Sequence, residues 1–228
     1  MASSRGRRVS DIVAAVHAQL RAAADPARAA GQQAYMKSEM PFLGAAVPES
    51  RRIARQAAKG EVDAATLLAA ATTLWDEASH REERYAAMAL LRVRGLRADP
   101  DVIPLVEHMV RTGRWWDYAD ELAHRLAEAL DVRPVPTADL LRGWATDADM
   151  WMRRIAIIAQ LGRGIRVDRR LLTYVIEANA SDPEFFIRKS IGWALREYAR
   201  VEPDWVRSFV AACELSPLSR REALKHLA

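Results

Sequence analysis

Four scarcities narrow what this 228-residue chain can be. It has one cysteine, Cys213, which excludes an internal disulfide and any zinc site built on cysteines. Its 10 glycines and 10 prolines are too few for a turn-rich sandwich or barrel, or for a collagen-like chain. No apolar run approaches the ~20 residues that a membrane helix needs. The first ten residues, MASSRGRRVS, are basic without a following apolar core, so the expectation is a protein that is not secreted. Period-2 alternation of apolar and polar residues is nearly absent, which removes the usual signature of half-buried strands.

Apolar residues instead recur every three or four positions along most of the chain, and an all-α fold follows. Helices are expected at about 9–24, 27–37, 49–59, 63–78, 81–94, 101–112, 115–130, 137–146, 149–161, 168–179, 183–199, 203–214 and 218–227. Helix punctuation supports several of these bounds. Pro48-Glu49 opens one helix and Gly60 closes it; Asp182-Pro183-Glu184 reads as an N-cap, a first-turn proline and an acid at the positive helix end. The longest irregular stretch is 38–48. No break in composition divides the chain, so one domain over 1–228 is expected, with about 1–8 outside it.

The sequence also repeats. RYAAMALL from Arg84, RIAIIAQL from Arg154 and KSIGWALR from Lys189 each begin with a base and continue apolar. The first two are 70 residues apart and the last two 35, which leaves room for one unit near 119, where WWDYADELAHRL stands. Arg81, Trp116, Trp151 and Phe186 precede this register. A period near 35 in helical sequence marks stacked helix pairs that share a continuous core. The fold expected is HEAT-like two-helix repeats stacked into a curved right-handed solenoid.

Little conventional chemistry is visible. There is no phosphate-binding loop, no nucleophile elbow and no ligand spacing among the five histidines. What stands out is a change of sign. Where the other repeats carry a basic anchor, this one carries Ala119 and Asp120. Trp116 lies one helical turn before Asp120, and Trp193 one turn after Lys189. Spacing leaves two readings of Asp120 open, a solvated or Arg-paired surface acid and a site acid. The basic anchors likewise read either as ion pairs between repeats or as ligands for a polyanion. Thirty of the 34 basic residues are arginine and the net charge is +4, which allows a nucleic-acid partner without requiring one.

At these residues the chain resembles the AlkD family of bacterial DNA alkylation repair proteins, which are DNA glycosylases built from HEAT-like repeats. The blocks that carry the resemblance are AYMKSEMPFLG at 34–44, PESRR at 48–52, LWDEASHREERYAAMALL at 74–91, WWDYADEL at 115–122, MWMRRIAIIAQL at 150–161, EFFIRKSIGWALREYA at 184–199 and LSPLSRREALKHL at 215–227. The resemblance implies hydrolysis of the N-glycosidic bond of alkylated purines in duplex DNA. Asp120 would be the catalytic carboxylate, with Trp116 and Trp193 as aromatic contacts to the deoxyribose. Arg154 would hold the DNA backbone, with Arg153 beside it as a competitor for that role. Arg196, Arg51 and Lys189 are further candidate backbone contacts, and Tyr35 sits in the matching N-terminal block. Val47 stands where the family pattern leads one to expect threonine, which removes a hydroxyl.

The same resemblance implies a cytoplasmic, nucleoid-associated monomer with no cofactor or metal, and a grip on sugar and backbone without a base pocket. Two other functions fit the sequence. One is a helical scaffold that binds DNA or protein without catalysis. The other is a family member specialised for bulky adducts, conferring self-resistance to a DNA-alkylating natural product.

Overall fold

A computed structural model describes residues 8–97 and 99–227. The expectation for 1–7 therefore lies outside the described residues; Arg8 is described, and its amide donates to Asp11 at the start of the first helix. Among the described residues there are 13 α-helices, two 3-10 turns and no strand. Packing divides the chain into two compact units, Met1–Leu105 and Val106–Ala228.

The first unit holds α1 (Val9–Ala22), α2 (Pro26–Met36), α3 (Val47–Ala57), α4 (Ala64–Asp76) and α5 (Arg81–Leu90). Its core forms where α1, α3, α4 and α5 meet. Helix α1 buries Ile12, Val16 and Leu20, one residue per turn; α4 buries Leu67, Leu74 and Trp75. The anchor Arg84 lies over the Trp75 ring at 4.6 Å. Helix α2 differs, since only Met36 of it is buried.

The irregular stretch before α3 is fastened by the wholly buried Glu82, whose carboxylate accepts from the amides of Leu43 (2.9 Å) and Gly44 (2.8 Å). A side chain at Gly44 would meet the Asp25 carbonyl oxygen at 1.9 Å, and its φ is +93°. Only glycine fits there.

Helix α6 (Val102–Gly113) contains the division between the units. The second unit continues with α7 (Trp116–Val132), α8 (Pro134–Trp144), α9 (Met150–Ile158), α10 (Arg169–Glu177), α11 (Phe185–Tyr198), α12 (Pro203–Ala212) and α13 (Pro217–Ala223). Helices α7, α9, α11 and α13 pack each against the next and form one layer. Helices α8 and α10 pack together behind α9, and α12 lies against α11 and α13.

The repeat is visible in the bonds between successive pairs. Asp120 pairs with Arg154 across 34 residues, Arg163 donates to the Ala127 carbonyl across 36, and Asn179 donates to the Ala145 carbonyl across 34. Each fastens one helix pair to the next, as a stacked-repeat fold requires.

Most bounds differ from expectation by one to four residues, the largest at the ends of α5 (Leu90, not 94) and α13 (Ala223, not 227), and two of the starts have a plain cause. Helix α8 starts at Pro134 rather than 137, because prolines at its first and third positions lack only amides that a first turn leaves unbonded anyway. Helix α11 starts at Phe185 rather than 183. Asp182 accepts the Glu184 amide (2.8 Å) and is also gripped by Arg153, so it forms a turn ahead of the helix.

Candidate nucleic-acid interface

Asp120 sits one turn into α7, where the i, i+4 spacing stacks it above Trp116. Arg154 reaches it from α9. The Arg154 Nε and Nη2 donate to Asp120 Oδ1 and Oδ2 at 2.9 and 3.0 Å, a two-pronged grip, and Nη1 donates to the Phe186 carbonyl of α11 at 2.7 Å. Three helices of one layer, α7, α9 and α11, are thus joined through one guanidinium. Its side chain is 6% exposed, whereas that of Asp120 keeps 18%.

Burial pushes the Asp120 carboxyl up to about 6. The Arg154 charge and hydrogen bonds pull against burial, and the nearby Asp117 adds to the rise. The acid is still ionised at neutral pH, and it is a base of useful strength there.

An aromatic ladder backs this junction. Trp115 lies 6.0 Å from both Trp151 and Phe186, and Trp151 lies 5.1 Å from Phe186. The rung at the start of α7 is therefore its N-cap residue Trp115, one residue before the Trp116 position that the repeat register indicates. Trp151 is buried, while Trp116 and Trp193 are both partly exposed. Neither Asp120 nor Trp193 is sealed in the core, the arrangement that would favour a plain scaffold.

Arg153 points elsewhere. Its Nε and Nη2 donate to Asp182 Oδ2 (3.2 and 2.9 Å), and its Nη1 donates to the carbonyls of Asp147 (2.7 Å) and Ala148 (3.1 Å). It clamps the loop before α9 to the turn before α11, and the neighbour that faces Asp120 is Arg154.

Two further cations meet on α11. Lys189 Nζ lies 3.0 Å from Glu222 Oε1, and Arg196 Nη1 lies 2.5 Å from Glu222 Oε2. Sequence reasoning missed Glu222, as it missed the Phe186 carbonyl. Nothing in the spacing linked α13 to α11, although the aromatic repeat did carry the ladder.

Tyr35 and Arg51 belong to the first unit. Tyr35 is 76% exposed near the end of α2, and Arg51 is half-buried on α3, four residues after the exposed Val47. A groove of about 460 Å³ lined by Arg169, Arg170, Thr173, Tyr174, Glu177 and Trp205 contains none of the expected site residues. Among the described residues no three His, Cys, Asp or Glu side chains gather to hold a metal ion, and no helix is long and apolar enough to cross a membrane.

The model of a family described as "DNA alkylation repair enzyme" matches residues 16–227. A solved structure, a predicted DNA alkylation repair enzyme from Enterococcus faecalis, is 27% identical with a TM-score of 0.80, covering 90% of this chain and 97% of that one. AlkD2 from Streptococcus mutans is 18% identical with a TM-score of 0.64, covering 86% of this chain and 98% of that one, a likeness of fold. No curated protein matches the chain.

Proposed function

The chain belongs to the DNA alkylation repair enzyme family, and on that premise we propose that it is a DNA glycosylase that removes cationic N3- or N7-alkylated purines from duplex DNA. The observation that carries the reading is the Asp120–Arg154 junction: a carboxylate still reached by solvent, aimed by a two-pronged guanidinium and ionised at neutral pH. Fold alone does not decide chemistry, and this site is what supports it.

The reaction asks little of a general acid. An alkylated purine already bears a positive charge, so the C1′–N bond breaks with its electron pair passing to the base, which leaves neutral. The deoxyribose becomes oxocarbenium-like. Asp120 stabilises that charge and orients a water whose oxygen bonds to C1′, and the water's proton passes to the carboxylate and on to solvent. Trp116 and Trp193 present aromatic faces to the cationic sugar, worth about 1–2 kcal/mol each where water is excluded. Arg154 holds the acid's two oxygens in place and adds positive potential for a phosphate. Lys189, Arg196, Arg51 and Tyr35 supply further backbone contacts, which are sequence-independent and salt-sensitive. The protein works as a monomer on DNA, without metal or cofactor.

The test is release of 7-methylguanine and 3-methyladenine from methylated duplex DNA. Asp120→Asn is expected to lower single-turnover excision by roughly a hundredfold or more, with duplex affinity nearly unchanged. Turnover near that of the native chain would remove Asp120 from catalysis, and no release by the native protein would leave a DNA-binding scaffold.

A further inference from the structure

Helix α13 packs closely on α11, with its tightest glycine contact at Gly192. A β-carbon at Gly192 would lie 2.4 Å from the Glu222 Cβ and 3.0 Å from the Ser219 carbonyl oxygen. The Ser219 hydroxyl donates to the Arg188 carbonyl at 2.9 Å. These contacts set the root of Glu222 directly over α11. Its carboxylate then reaches Lys189 on one side and Arg196 on the other. Lys189 and Arg196 are seven residues apart, so they lie on one face, with Trp193 between them in sequence.

Exposure orders the three groups. Lys189 is 38% exposed and Arg196 24%, whereas Glu222 is 17% exposed. The cations are the outer partners and the acid the inner one. Lys189 first, then Arg196, hold the Glu222 carboxyl below its ordinary range, so it remains charged wherever DNA is bound. Partly exposed ion pairs of this kind contribute little to stability, yet a carboxylate presents to these cations the same oxygens that a phosphate would.

We propose that Glu222 is a built-in competitor for backbone phosphate, a residue that limits how tightly the interface holds undamaged duplex. The inference rests on the glycosylase reading, in which Lys189 and Arg196 face DNA. With DNA absent, Glu222 occupies both cations. When a phosphate docks, the acid still neutralises part of their charge, so the contact yields less counterion release than two bare cations would. Sequence-independent affinity is held down, and release from undamaged sites is quicker.

The experiment is fluorescence anisotropy of the full chain on a labelled, undamaged duplex across a potassium chloride series. Glu222→Gln keeps the shape and removes the charge. It is expected to bind about threefold to tenfold tighter at ~0.1 M salt, with the log–log salt slope steeper by about 0.9, the value for one added phosphate contact. Adding Lys189→Met and Arg196→Met to that variant is expected to erase the gain. Unchanged or weaker binding by a Glu222→Gln protein that unfolds at the native temperature overturns the proposal and leaves Glu222 a structural clamp. Should that variant not fold, Glu222→Ala carries the test, since it also removes the charge and keeps the Cβ that seats α13: tighter binding supports the proposal and native affinity overturns it. A native chain that binds no duplex sinks the glycosylase reading itself, whereas native binding that Glu222→Gln leaves unchanged sinks this inference alone.

Discussion

The α7–α9 and α11–α13 junctions use the same chemistry in opposite senses. In the first, an acid on the earlier helix is gripped by one cation on the later one; in the second, two cations on the earlier helix grip one acid on the later one. The acids are equally exposed, 18% for Asp120 and 17% for Glu222. Yet burial drives Asp120 up to about 6, while Lys189 and Arg196 draw Glu222 down. The difference lies in the surroundings. Asp120 has one partner, itself buried and backed by the aromatic ladder, whereas the partners of Glu222 are themselves open to water. Side-chain exposure alone therefore does not fix a carboxylate's basicity; around Asp120 burial by the surrounding protein outweighs its cation, and around Glu222 the cations outweigh a shallower burial. The first junction leaves its acid more basic than usual, and the second leaves its acid less so.

The comparison breaks most sharply at Arg154. Arg154→Met leaves Asp120 in a buried setting without its cation, and a loss of about 3 kcal/mol is expected at pH 8. The sign with pH follows from the raised acid. Its folded value, about 6, lies above its ordinary 3.8, so ionising it costs stability as pH rises between those values. Removing Arg154 extends that window upward. The gap between variant and native protein is thus small near pH 5 and widens toward pH 8, as urea unfolding at the two pH values will show. A gap independent of pH would mean that the guanidinium acts by packing alone.

A smaller effect is expected at the second junction. Gly192→Ala places a methyl group where the Glu222 Cβ and the Ser219 carbonyl already stand. Helix α13 must shift outward, at a cost of about 2 kcal/mol. Thermal unfolding measures the loss, and a variant as stable as the native chain would show that α13 yields freely there.

Much of this was legible in the residues themselves. All 13 helices fall within four residues of where the three- and four-residue spacing puts them, most because they bury a stripe against their neighbours, although α2 buries only Met36 and α5 is buried nearly all round. The two-helix repeat follows from the 35-residue period, and the Asp120–Arg154 pair is that period expressed as an ion pair. Asp120 is the Arg-paired acid that one reading of its spacing allowed, and its role as the site acid is the proposal that Asp120→Asn tests. What the sequence did not reveal was rotation and distant docking. Arg153 and Arg154 are adjacent, about 100° apart on a helix, and only packing decides that one faces Asp182 and the other Asp120. Trp115 rather than Trp116 joins the ladder for the same reason. Glu222 meets Lys189 and Arg196 through a glycine contact that no periodicity encodes.

The finest test separates the two acids by pH. On the proposed glycosylase reading excision needs the Asp120 carboxylate, so the single-turnover rate is expected to fall below pH 6, approaching tenfold per unit, and to be level above it. Glu222 is already ionised below its ordinary 4.5 and adds no step in that range. Arg154→Lys keeps the charge but gives up the two-pronged hydrogen bond that helps hold the carboxyl down, so the acid limb should move to higher pH. Glu222→Gln should leave the limb in place while changing duplex affinity. A rate level from pH 5 to 8 would place the reacting acid elsewhere, and a limb that moved with Glu222 rather than Arg154 would reverse the roles of the two junctions.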